Sequence, residues 1–418
     1  MELGKYSMGV GDRFGFECAA QIRALQQAAA AGVRIVPVWN KSYREHTIAG
    51  TAPEHARNAA DEAVRTTGWK DSYFVDADHI TLGNVDAFIP CSDYFTIDIA
   101  DSIGKSLDPP LAEEFLAAMK PYRGSLEIPG MRERMEITDP QLEGFARKYL
   151  HAIRQAGKVY RHIAERKGPD RFITEISADE AQSAQTPVDM LLLLAAIARE
   201  GIPIQAIAPK FTGAFLKGTD YVGDPNLFDR QFRDDLAVIA FAVDTFSLPR
   251  NLKLSIHTGS DKFTLYPLMH RAIKEAGAGI HLKTAGTTWL EEAAGLAASG
   301  GEGLALVKDI YERSFRRCDN LCEPYLAVIS IEKSRLPLPE EVSSWSSGEF
   351  IEALRHDPRC PAYNRHFRQL LHVGFKVAAE TGERFRTMLM QCRSVIEENV
   401  TRNLFENHIR PLYLGDRV

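Results

Sequence analysis

Six cysteines among 418 residues are too few and too scattered for a disulfide framework; only Cys318 and Cys322 lie close together, and without a second pair they make no zinc ribbon. No long apolar run is present. The longest, Met190 to Ala198, falls well short of the roughly 20 residues that a membrane helix requires. The opening stretch MELGKYSMGVGDRF places Asp12 and Arg13 where a signal peptide has its apolar segment. No Lys/Arg-rich run occurs, and a net charge of −6 gives no electrostatic footprint for nucleic acid. The glycine patterns of nucleotide-binding loops are missing too, since GVGDRFG matches neither GxxxxGK[ST] nor GxGxxG. GxSxG and HExxH are absent. These absences predict a cytoplasmic globular protein with reduced thiols, no nucleotide cofactor, and no nucleic-acid or membrane partner; a homo-oligomer is compatible with them.

What the chain does have is rhythm. Short apolar, β-branched runs alternate with longer amphipathic segments through residue 298. The expected strands are Tyr6–Val10, Arg34–Val38, Ser72–Val75, Tyr94–Ile97, Phe172–Ile176, Ile202–Ile207, Leu252–Ile256 and Gly279–Leu282. Helices are expected over 53–67, 187–200, 225–246 and 267–276, with proline at or beside the first position and glycine beyond the end of three of them. Strands apolar on both faces suit a parallel sheet covered by helices. Eight such units predict an α/β fold, a (β/α)8 TIM-like barrel over residues 1–300. Residues 102–170 exceed an ordinary connection and read as a helical insertion, with one helix from about 141 to 167. Residues 301–418 read as a helical C-terminal extension packed on the barrel.

In such barrels the site is built at the C-terminal ends of the strands. Polar residues recur there: Asp12 and Arg13, Asn40 and Lys41, Asp98 and Asp101, Glu175 within ITEIS, Lys210, His257 with Asp261 and Lys262, and His281 with Lys283. The run YFVDADHITLG adds Asp76, Asp78 and His79 after the third strand. Imidazole and carboxylate suit Zn, Mn, Fe or Ni. His79, His257 and His281 are therefore candidate ligands of a divalent cation, faced by Glu175. Asp76 and Asp78 either join this site or cap a turn. Lys210, Lys262 and Lys283 could anchor a carboxylate or phosphate, or be solvated lysines. The residue types point to a metal-dependent barrel enzyme for a small, polyoxygenated, anionic substrate.

Seven stretches in fixed order carry a further signal: YSMGVGDRFG, FVDADHI, PKFTGAFLKGTDYVGD, SIHTGSDKFTLYP and HLKTAGTTWLEE, then LHVGFKVA and ENVTRNLFENHIRPLYLG. Together they resemble the tagaturonate epimerase family of bacterial hexuronate catabolism. The resemblance implies a metal-using sugar-acid epimerase that interconverts D-tagaturonate and D-fructuronate by retro-aldol cleavage and re-addition at C3. It implies a small-molecule hexulosonate as partner and Mn, Zn, Ni or Fe as cofactor. On that basis His79, His257 and His281 hold the metal, Asp78 and Glu175 are catalytic, and Asp76 supports His79. Arg13, Lys210, Asp261, Lys262 and Lys283 would contact the substrate. Asp78 and His79 can share a site only if the strand has ended there, because neighbours on a regular strand face opposite ways. Two readings remain beside this one: a ketose–aldose isomerase on the same barrel, and a non-catalytic sugar-acid-binding protein.

Overall fold

The computed structural model describes residues 1–106, 109–284 and 286–415. Positions 107 and 108 of the expected insertion, Ala285 of HLKTAGTTWLEE and the end of the extension, 416–418, lie outside the described residues. The strands are β1 (Tyr6–Gly9), β2 (Val36–Ser42), β3 (Phe74–Ile80), β4 (Tyr94–Asp98), β5 (Gly124–Leu126), β6 (Met135–Ile137), β7 (Ile173–Ser177), β8 (Ala206–Ala208), β9 (Lys253–His257) and β10 (Ile280–Lys283). All but β5 and β6 are parallel and close a barrel in the order β1-β2-β3-β4-β7-β8-β9-β10, with β10 pairing back onto β1. The barrel is as expected from the alternation of elements. β5 and β6 form a separate antiparallel hairpin.

Helix signals in the sequence act where they were expected. Pro53–Thr67, Pro187–Arg199 and Pro225–Phe246 each begin with proline, whose missing N–H would be unpaired there anyway. The helix Asp139–Lys167 is held at its start by reciprocal bonds between Thr138 and Gln141. It packs against β4 and Pro187–Arg199, so it is the crossover helix between β4 and β7. The inserted material is accordingly narrower than 102–170: a helix, Pro109–Met119, and the β5–β6 hairpin. Among the described residues no helix is long and apolar enough to cross a membrane.

The floor of the barrel is a plug of Leu3, Val38, Phe74, Tyr94 and Ile173. The Lys253 ammonium ties it shut by donating to the Leu3 and Gly4 carbonyls.

The C-terminal extension is more deeply part of the barrel than expected. The helix after β10, Thr287–Ala298, buries Trp289, Leu290 and Leu296 in a second core made largely by helices of the extension. The place beside the first helix, Cys18–Ala30, and the helix Tyr266–Glu275 is taken by Leu404–Leu414, a π-helix containing Pro411. Its Ile409, Leu412 and Tyr413 belong to the barrel core. Tyr413 donates to the Ser7 carbonyl of β1 at 3.0 Å and packs edge-on against Tyr6.

Candidate active site

β2 and β3 run further than their apolar residues indicate, and Asn40, Asp76 and Asp78 lie inside strands, not in loops. A parallel barrel carries inward-facing side chains along each strand, so a polar residue can continue a strand if a partner waits inside. For Asp76 and Asp78 the partner is Lys283 at the end of β10, and Asn40 donates to Asp78 Oδ2. The Lys283 ammonium meets Asp76 Oδ2 at 2.8 Å, Asp78 Oδ1 at 2.9 Å and Glu175 Oε1 at 3.3 Å, and donates to Thr96 Oγ1 at 2.5 Å. Gly9 on the adjacent β1 makes room for it, because a Cβ there would lie 2.6 Å from Lys283 Cγ.

This cluster is buried, so its charges interact strongly. Burial disfavours the Lys283 cation, but Asp76, Asp78 and Glu175 hold it well above the ordinary lysine range. Burial lifts Asp76 to about 7 against the pull of Lys283. Burial also pushes Asp78 upward, yet Lys283, His79 and His257 hold it below the usual carboxylate range. Glu175 behaves like Asp78: burial opposes ionisation, and Lys283 and His257 more than offset it.

The juxtaposition of Asp78 and His79 is achieved by a backbone irregularity. The β3–β4 register slips between Ala77 and Ile80, and His79 has φ = 52°, a left-handed conformation that only Ser247 shares among the described non-glycine residues. Such a bulge re-aims a side chain within a continuing strand. It brings His79 to the same end of the barrel as Asp78, its Nε2 4.0 Å from Asp78 Oδ1, and sets its Nδ1 3.2 Å from Asp98 Oδ2. A left-handed residue bearing a Cβ is strained by roughly 1–2 kcal/mol. His79→Gly is therefore expected to be about 1 kcal/mol more stable to urea than His79→Ala, with both inactive; an alanine variant as stable as the glycine one would contradict the strain.

Across the mouth, His257 at the end of β9 lies between two carboxylates. Its Nε2 is 2.6 Å from Glu175 Oε1, and its Nδ1 is 3.1 Å from Asp179 Oδ2. The His79 and His257 rings meet edge to face with centroids 5.4 Å apart. Donor atoms of His79, Asp179 and His257 all lie within 4.8 Å of one another, and His79, Asp98 and Glu180 form a second such group. Burial disfavours a cationic His257, yet Asp179 and Glu175 raise it to about 9. Burial is likewise outweighed at His79 by Asp78, Asp98 and Asp179. Both imidazoles thus sit in a field that favours positive charge, and two imidazoles with a carboxylate are a donor set for Zn, Mn, Fe or Ni. Glu175 and Asp98 hold the other sides of the two rings, as carboxylates do behind metal-ligating histidines.

The remaining expected residues are placed elsewhere. His281 is at Ser7, its Nδ1 2.8 Å from Ser7 Oγ, its ring beside Tyr94 just above the floor. Burial pushes it down to about 3, which keeps it neutral, and it joins neither donor group. Arg13 pairs with Glu45 at 3.2 Å and lies over the Phe375 ring. Lys210 donates to the Ala181 carbonyl. Lys262 is fully buried and donates to the carbonyls of Leu216, Thr219 and Asp261. Asp261 is a buried hub that accepts from Arg368 Nη2 at 2.5 Å and lies 3.1 Å from His356 and 3.4 Å from His408. These last two fasten the loops after β8 and β9 to the C-terminal extension. Asp179 and Glu180 went unnoticed in the sequence, although Asp179 stands four residues beyond Glu175, just past the end of β7.

A family model described as tagaturonate epimerase matches residues 1–412. A curated tagaturonate/fructuronate epimerase of Thermotoga maritima is 27% identical over 412 residues, covering 95% of this chain and 79% of that protein. The native crystal structure of a fructuronate–tagaturonate epimerase from Cohnella laeviribosi superposes with a TM-score of 0.77 at 21% identity, covering 96% of this chain and 80% of that one. Its complex with two glycerol molecules superposes at 0.79, also at 21% identity, covering 99% and 83%. The order of motifs, the closed barrel and the match along nearly the whole chain agree, and this chain belongs to the tagaturonate epimerase family.

Proposed function

We propose that this protein is a metal-dependent sugar-acid epimerase that interconverts D-tagaturonate and D-fructuronate by retro-aldol inversion at C3. The observation that carries this reading is the family match over residues 1–412. The mouth of the barrel agrees with it chemically, because it gathers carboxylates for proton transfer beside a donor set for a divalent cation.

The inverted carbon lies β to the ketone, so enolisation alone cannot invert it. Asp78 is the group to take the C3 hydroxyl proton, being on the mouth side of Lys283 while Asp76 is enclosed beneath. As that proton leaves, the C3–C4 bond breaks, C3 becomes an aldehyde, and the bonding pair passes to C4 and the C5 carbonyl oxygen as an enediolate. After the aldehyde turns over, C4 adds to its opposite face and the new C3 alkoxide recovers the proton. A divalent cation held by His79, Asp179 and His257 would supply a Lewis acid for the substrate's oxygens. Lys283 keeps Asp78 ionised and positioned, while Glu175 and Asp98 orient the two imidazoles.

In deuterium oxide, with Mn, Zn, Ni or Fe supplied in turn, the purified protein is expected to convert D-tagaturonate to D-fructuronate without deuterium at C3 or C4. Each carbon keeps its own hydrogen through cleavage and re-addition. Deuterium at either position would replace this route by carbon deprotonation, as an isomerase would use. No turnover of any hexulosonate with any of the metals would end the epimerase reading.

A further inference from the structure

The cations expected to meet the substrate's carboxylate are all engaged inside the fold, so that end of the substrate still needs a partner. The loop after β8 offers one. Lys217 has neither an ion pair nor a hydrogen bond at its ammonium among the described residues, only the Tyr325 ring 5.6 Å away. The same ring has the Arg44 guanidinium 5.1 Å from its centroid. Arg44 likewise lacks an ion pair among the described residues. Two cations from opposite sides of the mouth, one after β2 and one after β8, thus converge on one aromatic ring of the extension.

Lys217 is also held in place by its backbone. Its N–H donates to the Val328 carbonyl at 2.7 Å, and its carbonyl accepts from Gln369 Nε2 at 2.8 Å. The next residue, Gly218, donates to Ser260 Oγ at 2.8 Å and accepts from Arg368 Nε at 2.8 Å. A loop fastened at four backbone groups, with its one charged tip left without a counter-ion, is arranged to present that tip. Of the charges that act on the Lys217 ammonium, Arg13 and Arg44 are positive and Glu45 and Glu180 negative, and Glu45 is already paired with Arg13.

We infer that Lys217, with Arg44 across the Tyr325 ring, is the anchor for the carboxylate of the sugar acid, so that segments after β8 and β2, braced by the C-terminal extension, select acids over neutral sugars. This rests on the epimerase reading and names the group that sets its substrate class. Burial and the neighbouring Arg13 push the Lys217 ammonium down, and an anion bound beside it would reverse that shift.

The test compares D-tagaturonate with D-tagatose, in which a hydroxymethyl group replaces the carboxylate, using wild type, Lys217→Met and Lys217→Arg loaded with the same metal. Both equilibrium binding by calorimetry and turnover are measured. A charge-assisted contact is typically worth about a 10- to 100-fold change in affinity. The methionine variant is expected to bind D-tagaturonate about that much more weakly and to raise its KM accordingly, with kcat for that substrate largely kept. Its affinity for D-tagatose should match wild type, and arginine should restore most of the loss. Equal losses on both sugars, an unchanged affinity for the acid, or a wild type without preference for the acid would each overturn the assignment. A wild type that binds the acid but does not epimerise it would instead refute the epimerase reading, while the binding ratios still decide the role of Lys217.

Discussion

Lys283→Met is expected to lower stability by about 3–5 kcal/mol, the usual effect of removing one partner from a buried ion pair, and to reduce turnover by roughly 10²–10⁴-fold. The methionine fills most of the space, so the loss reports charge more than volume. Without the ammonium, Asp76, Asp78 and Glu175 face one another in a dry interior, with Thr96, Tyr94 and Asn40 as neutral donors to them. Adding Asp76→Asn to the variant should return part of the stability, because one of the mutually repelling charges has gone. Activity should not return with it, since Asp78 would still lack the cation that positions it. Urea unfolding of the single and double variants measures this. A Lys283→Met protein within 1 kcal/mol of wild type would mean that the carboxylates take up protons at little cost and that the lysine is not their organiser.

His257→Ala should abolish stoichiometric divalent-metal binding together with turnover, whereas His281→Ala should keep its metal. The sequence makes these two histidines look equivalent, each near the end of an apolar strand. In the structure they differ by depth: His257 faces Asp179 and His79, while His281 lies against Ser7 and Tyr94, two residues below Lys283 on β10. Glu175→Gln provides an intermediate case. It leaves the donors in place but weakens the carboxylate that fixes His257, and affinity should drop by roughly 10- to 100-fold. Metal content after dialysis, measured on folded protein, orders the three variants. Loss of metal in His281→Ala with retention in His257→Ala would exchange their roles.

Much of the barrel was legible because its signals are local. An apolar run, a proline at a helix start and a glycine at its end fix most of the strand and helix positions to within a residue or two. The upper ends of β2 and β3 were not legible, since Asn40, Asp76 and Asp78 read as loop until Lys283, more than 200 positions away, is known to face Asp76 and Asp78. The same distance hid the role of Lys283, which the sequence offers as a substrate contact. His79 could be suspected from its neighbours, but the bulge that turns it appears only in the pairing of β3 with β4. Lys217 carries no sequence signal apart from its motif; what singles it out is the lack of a counter-ion in the folded chain.

The position of Leu404–Leu414 bears on how the molecule comes into being. During synthesis all eight barrel strands are available once Lys283 has been made, yet the flank of β1 stays open until a segment some 120 residues later arrives. The contact that covers this flank joins Tyr6 to Tyr413, some 400 residues apart. Contacts so distant along the chain slow folding, because the entropy of closing the loop is lost before the contact forms. Until that segment has been made, the barrel strands leave the flank of β1 beside Tyr6 uncovered, and this contact is expected to form late in assembly.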